Sequence, residues 1–586
     1  MANDIDQQAG HADSFPADDE RPCWRVYDQR IEHNGKKCPP GVYWHDSRPG
    51  GKGSVSASTD TWTCSPLHVE AITTNTEDGE HGRLLRYLSE TGVWKKWAMP
   101  MEMLAGNGNE VRRVLLDNGL LINPERRGLI VSYLSNQRPR KRLRAATVTG
   151  WHGGAFVLPN EVIGADDIWF QAPDRIASYG AAGTLDGWKA EVAAVAVNNP
   201  ALVLAISAAL AGPVLECLNI SGGGIHFYGD SSTGKTTALM AGVSAWGGPT
   251  YRRTWRTTAN GLEGAAKLHA GTLLALDEIG EVTPKDLYEA AYHLCNGTGK
   301  LRANVHGNAR DLARWRVFIL STGEVTIASR MSEGGFAAKA GQAVRILDIP
   351  VSGTYGLFDE LHGHYSGAAL SQAIVSSAAK HYGHAGPAFV RAWIEWVKNS
   401  NLSEHVAGIE RKFGRIDGQN GRAARLLATC AIAGEIAAAS NIVPWKPEMA
   451  TSAAIHAFNL WRDSQSIRGK NIEHGAILRA IADFLDKYGE SRFSALHAGK
   501  GVSGAVRDRA GYWKQADQRR LYLFTSGALK EATRGYDLPR VLKALKQADA
   551  LAEMGSGKSA KKVRIPDGRS IDLYHIAPDR LNDEQP

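Results

Sequence analysis

The stretch GIHFYGDSSTGKTTALM, residues 224–240, decides the fold of the region around it. A strand-like apolar run leads into Gly229-x-x-x-x-Gly234-Lys235-Thr236, and a helix-like run follows. Glycines in such a loop let backbone N–H groups converge on phosphate oxygens, and the start of the next helix adds partial positive charge. The pattern therefore predicts a nucleotide-binding strand, loop and helix. The expected binding residues are Gly229, Asp230, Ser231, Ser232, Thr233, Gly234, Lys235, Thr236 and Thr237.

The stretch GTLLALDEIGE, residues 271–281, contains a second apolar run that ends in the adjacent carboxylates Asp277 and Glu278. Behind a phosphate loop, the first carboxylate of such a pair holds Mg²⁺ and the second polarises the attacking water. We therefore assign Asp277 and the Thr236 hydroxyl to the metal, and Glu278 to the water. Lys235 is the third catalytic group, expected at the β and γ phosphates of ATP. A capped turn is the alternative interpretation of the two carboxylates.

The run WRVFILSTGE, residues 315–324, predicts another strand, which ends in Ser321 and Thr322. A strand between the two nucleotide-binding strands would place these polar groups where they sense the γ-phosphate. Beyond it, Arg345 precedes the strand-like run ILDIP, and an arginine there is expected to stabilise transition-state charge at a neighbouring subunit. Arg330 is the rival candidate. An ordinary surface arginine is the alternative for either.

Residues 293–318 lie between the acidic strand and the sensor strand, and they predict a basic hairpin. Two short runs, KLRANV and ARDLARW, flank a tight turn at His306-Gly307-Asn308. In a ring of ATPases such a hairpin points into the central channel, where basic side chains hold phosphates without reading sequence. The expected DNA contacts are Lys300, Arg302, His306 and Arg310. A solvated hairpin with scattered charge is the alternative.

Several of these stretches together resemble one protein family, the helicase-like family known as domain of unknown function 927, found in phages and mobile genetic elements. The similar phrases are GGGIHFYGDSSTGKTTALM, TWRTTANGLEG, LLALDEIGEV, NGTGKLRAN, WRVFILSTGE and KAGQAVRILDIP. The resemblance extends from about Arg25 to about Trp445. It implies an AAA+-like P-loop ATPase, similar to the ring-forming helicases of viral superfamily 3 and to the minichromosome maintenance helicases. The sensor of superfamily 3 is normally an asparagine, whereas this strand ends in STGE.

Changes in residue pattern divide the chain into five parts. An acidic tail at 1–20 is expected to be disordered, and a β-rich N-terminal domain follows at 21–184. An α/β AAA+-like core is expected at 185–355, with a largely parallel sheet. Ala-rich helices at 356–470 predict a helical lid or collar domain. Residues 471–586 predict a winged-helix-like basic domain, whose wing would bring Lys561 and Lys562 to DNA.

Charge and composition set the outer bounds on function. The 586 residues carry 68 basic and 61 acidic side chains, so the formal charge is +7. That excess permits a polyanionic partner, and a run of five basic residues without an acid at 138–144 is one place for it. The longest apolar run has 15 residues, whereas a membrane span needs about 20, so no transmembrane helix is expected. A cytoplasmic setting is the simplest expectation, since six scattered cysteines indicate neither a disulfide framework nor a justified zinc pattern.

The expected function is a hexameric, Mg²⁺- and ATP-dependent DNA helicase or translocase that serves the replication of a phage or other mobile genetic element. Its expected partners are single-stranded and forked DNA, further copies of the chain, and a replication initiator or primase of the same element. The alternative is a nucleotide-gated DNA-binding switch or origin-binding protein that never unwinds. A metabolic kinase ranks third, because no acceptor-substrate pocket is suggested.

Overall fold

The computed structural model describes residues 14–48, 57–75, 79–171, 179–299, 314–336, 344–414, 418–466, 472–497, 506–516, 519–555 and 558–581. Internal contacts divide the chain into two compact units. Unit 1 is Met1–Gly180 with Lys267–Gly271, and unit 2 is Ala181–Ala266 with Thr272–Pro586. In the described parts of the chain, no helix has both the length and the apolar character needed to cross a membrane.

Unit 1 is built largely from short strands rich in aromatic and β-branched residues, the composition that suits a half-buried pleated surface. Its strands are β1 (Cys23–Tyr27), β2 (Ile31–His33), β3 (Lys36–Cys38), β4 (Gly41–Arg48), β5 (Ala57–Cys64), β6 (Leu67–Thr74), β7 (Gly82–Leu88), β8 (Trp94–Pro100), β9 (Arg142–Ala146), β10 (Gly150–His152), β11 (Ala155–Val157), β12 (Val162–Ile163) and β13 (Ile168–Phe170). The larger sheets have the orders β1-β4-β5 and β13-β9-β6-β7-β8.

Two helices, α1 (Asn109–Asp117) and α2 (Leu129–Asn136), complete unit 1. The sequence analysis predicted strands and turns here and missed both helices. α2 buries Tyr133 and Leu134 in the same apolar cluster as Leu85 of β7. Unit 1 therefore mixes helices with its sheets.

The centre of unit 2 is a five-stranded sheet in which every pairing is parallel. Its strands are β14 (Gly223–Tyr228), β15 (Arg253–Thr254), β16 (Leu273–Asp277), β17 (Phe318–Gly323) and β18 (Ile346–Pro350). Their order is β15-β16-β17-β14-β18, so β17 lies between the loop strand β14 and the acidic strand β16. β16 and β17 are buried along their whole length, as expected for parallel strands that are covered on both faces.

In the described part of unit 2, three helices precede this sheet, one follows each of its strands, and further helices continue beyond it. They are α3 (Leu185–Trp188), α4 (Pro200–Leu210), α5 (Val214–Cys217), α6 (Lys235–Val243), α7 (Ala259–Leu268), α8 (Pro284–Asn296), α9 (Ile327–Glu333), α10 (Gly367–Lys380), α11 (Ala385–Asn399), α12 (Leu402–Lys412), α13 (Gly418–Ala439) and α14 (Met449–Ser466). The apolar helix α4 is buried against α6, α13 and α14. The Ala-rich stretches thus form helices, and two of them pack on the core rather than apart from it.

The last part of unit 2 combines helices with a second sheet. Its elements are α15 (Ile472–Tyr488), β19 (Phe493–Ala495), β20 (Gly511–Ala516), β21 (Arg519–Phe524), α16 (Ser526–Ala532), α17 (Leu538–Gln547), β22 (Leu551–Glu553), β23 (Lys561–Arg564) and β24 (Ser570–Ile576). The residue pattern of 538–554 predicts one continuous helix, and this prediction is wrong, because the helix ends at Gln547 and a strand begins at Leu551. α17 stops because Asp549 adopts a left-handed φ of 53°, after which Leu551 enters the core as the start of a strand that pairs with β24.

A buried polar network crosses the parallel sheet at His226 of β14. Its ring nitrogens lie 2.8 Å from the Ser321 hydroxyl oxygen and 2.9 Å from the Val325 carbonyl oxygen. The carbonyl can only accept, so the neutral ring carries its proton on Nε2, and Nδ1 accepts from Ser321. Trp255 Nε1 donates to the same hydroxyl oxygen at 2.8 Å. Burial lowers the pKa of His226 to about 4.

This histidine makes unit 2 sensitive to acid. Because the pKa of His226 is lowered in the folded state, its stabilising contribution is present above the unfolded pKa of about 6.5 and is lost as the pH falls toward 4. Between pH 6.5 and 5, we expect the free energy of unfolding of the wild type to fall by roughly 2 kcal/mol more than that of His226→Gln. Urea unfolding across this range measures the difference.

The matched control is His456→Gln, which changes an exposed histidine in the same unit. It should follow the wild-type pH profile. Parallel profiles for His226→Gln and the wild type would contradict the prediction.

Candidate functional site

The phosphate loop joins β14 to α6 at the carboxyl edge of the parallel sheet. Gly234 stands directly before α6 with a φ of 92°, a left-handed conformation that favours glycine. A Cβ there would also lie 3.2 Å from the Phe358 ring. The loop is supported from the other side, since Leu357 N–H donates to the Thr233 carbonyl at 2.7 Å. The loop backbone is therefore held with the N–H groups of the first turn of α6 unpaired within the helix and available to an anion.

Lys235 places a cation inside this loop. Its side chain is largely buried, and Nζ donates to the carbonyl oxygens of Gly229 at 2.9 Å and Asp230 at 2.5 Å. A third contact, at 3.3 Å, goes to the Thr233 hydroxyl. All three partners are neutral oxygens, so the charge of the ammonium group is not cancelled by these contacts and remains available to phosphate.

Asp277, the last residue of β16, is the meeting point of the site. Oδ1 accepts hydrogen bonds from the Thr236 hydroxyl at 3.3 Å and from the Thr322 hydroxyl. Oδ2 accepts from Nη1 of Arg252 at 2.9 Å. The strands β14, β16 and β17 end side by side, and this brings the loop helix, the acid and the polar strand end together.

Glu278 follows Asp277 in a strained conformation. Its φ of 58° and ψ of 77° are left-handed, which is uncommon for a non-glycine residue, and its side chain is exposed. Backbone outliers of this kind concentrate at functional sites. Here the turn separates two adjacent carboxylates, because Asp277 is buried whereas Glu278 faces the open cleft.

These residues line one open cleft of about 390 Å³. Its walls are the loop residues 231–237, the strand ends Asp277 to Glu278 and Thr322 to Glu324, and four residues of α10. One of the α10 residues, Ser371, shares a hydrogen bond of 2.9 Å with the Thr237 hydroxyl. The helical region at 356–470 thus contributes directly to the cleft, although its sequence carries no catalytic signal.

The two predicted sensor residues, Ser321 and Thr322, lie on opposite faces of the sheet, because successive residues of a strand face opposite sides. Thr322 lies in the cleft and bonds Asp277. Ser321 is fully buried on the other face, where it bonds His226 and Trp255. The Ser321 hydroxyl proton is committed to His226, so this residue has no donor left for a phosphate.

The two candidate arginines occupy different places. Arg345 lies just before β18, at the amino-terminal edge of the sheet, where its carbonyl accepts from Gly224 N–H at 2.8 Å. Its guanidinium donates to Asn296 Oδ1 and lies 5.2 Å from the centre of the Tyr292 ring. This edge is opposite to the phosphate loop, so Arg345 is remote from the cleft of its own subunit.

Arg330 is tied to the turn that follows Glu278. Its guanidinium donates to the carbonyl oxygens of Gly280 at 2.8 Å and Val282 at 2.8 and 3.1 Å. It also pairs with Glu333. Arg330 therefore holds α9 to the acidic turn within one chain, an arrangement that leaves few of its donors for another subunit.

The residues predicted to contact DNA are only partly visible. Lys300, Arg302, His306 and Arg310 lie outside the described residues. On β23, Lys561 Nζ pairs with Glu553 at 2.6 Å, whereas Lys562 is exposed and stands opposite Asp572 of β24. The local charge of the ribbon is therefore partly balanced.

Sequence reasoning missed four residues, three that line the cleft and one, Arg252, that bonds Asp277. Arg252 precedes β15, a strand of two residues that is too short to produce a hydrophobic pattern. Ser371 and Gln372 lie in the Ala- and Ser-rich run of α10, which has no motif. Glu324 is exposed at the cleft and could have been predicted, because the run STGE places it two residues after Thr322.

A metal ion at the cleft would meet a suitable donor pair. The Thr236 hydroxyl and the Asp277 carboxylate are the hard oxygen donors that Mg²⁺ prefers, and Mg²⁺ is usually bound through one or two carboxylates together with substrate phosphates. In the described residues, no three His, Cys, Asp or Glu side chains gather as a metal site elsewhere.

Residues 34–314 match the family model described as Domain of unknown function (DUF927). No curated protein matches the sequence significantly. A solved structure described as "SCCmec type IV Cch - active helicase" is similar to this chain with a TM-score of 0.65 and 17% identity, over 92% of this chain and 97% of that chain. At that identity the match shows a shared mixed α/β fold.

Two structures of the NrS-1 C-terminal region also align. The first has a TM-score of 0.30 and 9% identity over 87% of this chain and 97% of that chain, and the second has a TM-score of 0.27 and 8% identity over 86% and 96%. These scores are too low to indicate a common fold. The family match and the fold of the first structure agree with the resemblance found in the sequence: residues 34–314 are similar to DUF927, a helicase-like family of domains of unknown function.

Proposed function

We propose that the chain is an ATP-dependent DNA helicase or translocase of a phage or other mobile genetic element, acting as a ring, most simply a hexamer. The observation that carries this proposal is the convergence of Lys235, Thr236, Asp277 and Thr322 on one cleft at the carboxyl edge of a parallel sheet. Ligands bind at this edge in open α/β sheets. The position of β17 between β14 and β16 supports an AAA+-like core.

In this proposal each side chain has one task at the nucleotide. Lys235 and the N–H groups at the start of α6 bind the β and γ phosphates. Thr236 and Asp277 hold Mg²⁺, which supplies charge neutralisation at the phosphates. Glu278 accepts a proton from the attacking water as a bond forms to the γ-phosphorus and the bond to the bridging oxygen breaks. Thr322 fixes the carboxylate of Asp277 in position.

The position of Arg345 supports a shared site. An arginine at the edge of the sheet remote from its own phosphate loop can serve a nucleotide only on another copy of the chain. Transition-state charge on the γ-phosphoryl group is commonly stabilised by such an arginine. We therefore assign Arg345 to the neighbouring subunit's nucleotide and Arg330 to the acidic turn of its own.

Two observations support the binding of DNA. The fold is shared with a protein described as an active helicase. Residues 471–586 combine helices with the antiparallel ribbon β23-β24, which suits a winged-helix-like domain with Lys562 exposed on it. The basic hairpin around His306 stays a prediction.

Glu278→Gln tests the assignment of the water-polarising carboxylate. We expect the ATPase rate to fall by about 10²- to 10⁴-fold, because the amide cannot accept the proton of the attacking water. ATP binding should persist, since Lys235 and Asp277 are unchanged. Fork unwinding with and without ATP, together with the DNA-stimulated ATPase rate, measures the effect.

The matched control is Glu281→Gln, which neutralises an exposed carboxylate in the same turn. It should retain unwinding. Unwinding that survives Glu278→Gln would overturn the assignment. DNA binding without DNA-stimulated hydrolysis in the wild type would favour a nucleotide-gated switch instead.

A mixing experiment tests the shared site. Arg345→Ala should reduce hydrolysis by about 10³-fold or more and leave ATP binding intact, because the arginine acts only in the transition state. When the Arg345→Ala and Lys235→Ala variants are mixed, part of the activity should return, because some subunit interfaces then combine an intact phosphate loop with an intact Arg345. ATPase rates of the two variants, alone and mixed, give the result.

A mixture of Arg345→Ala with the double variant Arg345→Ala/Lys235→Ala is the control and should stay inactive. If the first mixture also stays inactive although the variants assemble together, Arg345 does not serve a neighbour. Arg330→Ala should impair hydrolysis without complementation, because its bonds are made within one chain.

A further inference from the structure

Arg83 of β7 in unit 1 is a buried cation without a counterion. Only 7% of the residue is exposed. Nη1 donates to the carbonyl of the adjacent Gly82 at 3.0 Å, and Nε is buried without a hydrogen-bond partner. No carboxylate among the described residues pairs with this guanidinium. A buried charge is normally paired, so this arrangement is unfavourable in the free protein.

The nearest charge that acts on Arg83 is another arginine. Burial and the positive charge of Arg138 both lower the pKa of Arg83. Arg138 is exposed, and its guanidinium donates only to the backbone carbonyls of Ser135 and Gln137. The guanidinium groups of Arg83 and Arg138 therefore repel each other, and no carboxylate of the described structure pairs with either of them. Such a place attracts an anion.

The pairing of strands adds a third cation to the same face. Arg83 of β7 stands opposite Ile72 of β6, and Ile72 stands opposite Arg142 of β9. Side chains of directly opposed residues lie on one face of a sheet, so Arg83 and Arg142 share a face about 10 Å apart, two strand spacings. Arg142 is exposed and makes no ion pair among the described residues.

The other basic residues of the run 138–144 differ in whether their charge is neutralised. Lys141 is exposed beside Arg142, whereas Arg144 is neutralised by Asp167 at 2.9 Å. Among the described residues of the run, Arg138, Lys141 and Arg142 are exposed and make no ion pair. One strand of B-DNA presents a phosphate about every 3.4 Å along the axis. A row of cations about 10 Å long therefore spans more than one phosphate and suits a backbone better than a single small anion.

We propose that Arg83, Arg138 and Arg142 form a site for the phosphate backbone of DNA on unit 1. Arg83 is the buried anchor, and the two exposed arginines extend the contact along the strand. The contacts are to phosphate, so the site binds without reading sequence. The proposal deepens the proposed function, on which the identity of the polyanion rests, and it gives unit 1 the task of holding DNA outside the nucleotide cleft.

The test uses the full chain without nucleotide, and a fluorescently labelled DNA duplex as the probe. Arg138→Ala and Arg142→Ala should each flatten the plot of log affinity against log salt by about 0.9, the value for one lost phosphate contact. Arg113→Ala removes an exposed arginine from α1 of the same unit and should leave the slope unchanged. Unchanged slopes for both Arg138→Ala and Arg142→Ala would overturn the proposal.

Arg83→Met separates a binding role from a structural one. It removes a buried unpaired charge and keeps a long apolar side chain, so the thermal unfolding temperature of unit 1 should stay the same or rise while DNA affinity falls. A lower unfolding temperature with unchanged DNA affinity would show that Arg83 serves the fold, and would overturn the proposal.

Inorganic phosphate, compared with chloride at equal ionic strength, is the probe for a small-anion site. If phosphate stabilises the wild type but not Arg83→Met, and the slopes for DNA stay unchanged, the site binds a free anion and the DNA assignment fails. None of these measurements includes ATP. A failed Glu278→Gln test therefore leaves them intact, and their failure leaves the nucleotide site intact.

Discussion

The structure of unit 2 depends on one constraint, the requirement that the carboxyl ends of three adjacent parallel strands meet at Asp277. The hydroxyls of Thr236 and Thr322 and the guanidinium of Arg252 reach this carboxylate from three different segments of the chain. A buried carboxylate is stable only when its oxygens are bonded. The folding of the sheet and the assembly of the cleft are therefore the same event.

That constraint also explains how the charges of the site are arranged. Arg252 balances Asp277 from one side, while Lys235 is held among neutral carbonyl oxygens on the other. In the proposed function this arrangement leaves the charge of Lys235 free to bind phosphate, while two exposed carboxylates, Glu278 and Glu324, also line the cleft. A divalent cation that joins Asp277 at Oδ1 has a hydroxyl of Thr236 already beside it.

The sequence predicted the residues that lie at the ends of apolar strands. It did not predict residues whose position depends on which face of a strand they occupy, or on a strand too short to show a pattern. The phosphate loop, Asp277 and Thr322 follow from apolar runs that stop at polar residues. Ser321, like Thr322, is a polar residue at the end of an apolar strand. Because successive residues of a strand face opposite sides, Ser321 bonds His226 and does not reach the cleft. Arg252 precedes a two-residue strand, and a run that short cannot be recognised by periodicity. In the fold, the sequence analysis also missed α1 and α2, and α17 ends early because Asp549 adopts a left-handed φ of 53°.

The bonds of Arg330 have a mechanical consequence. They join α9, the helix that follows the sensor strand, to the turn that carries Glu278. A displacement of that helix must either break these bonds or shift the glutamate with it. The position of Glu278 is therefore mechanically coupled to the position of α9.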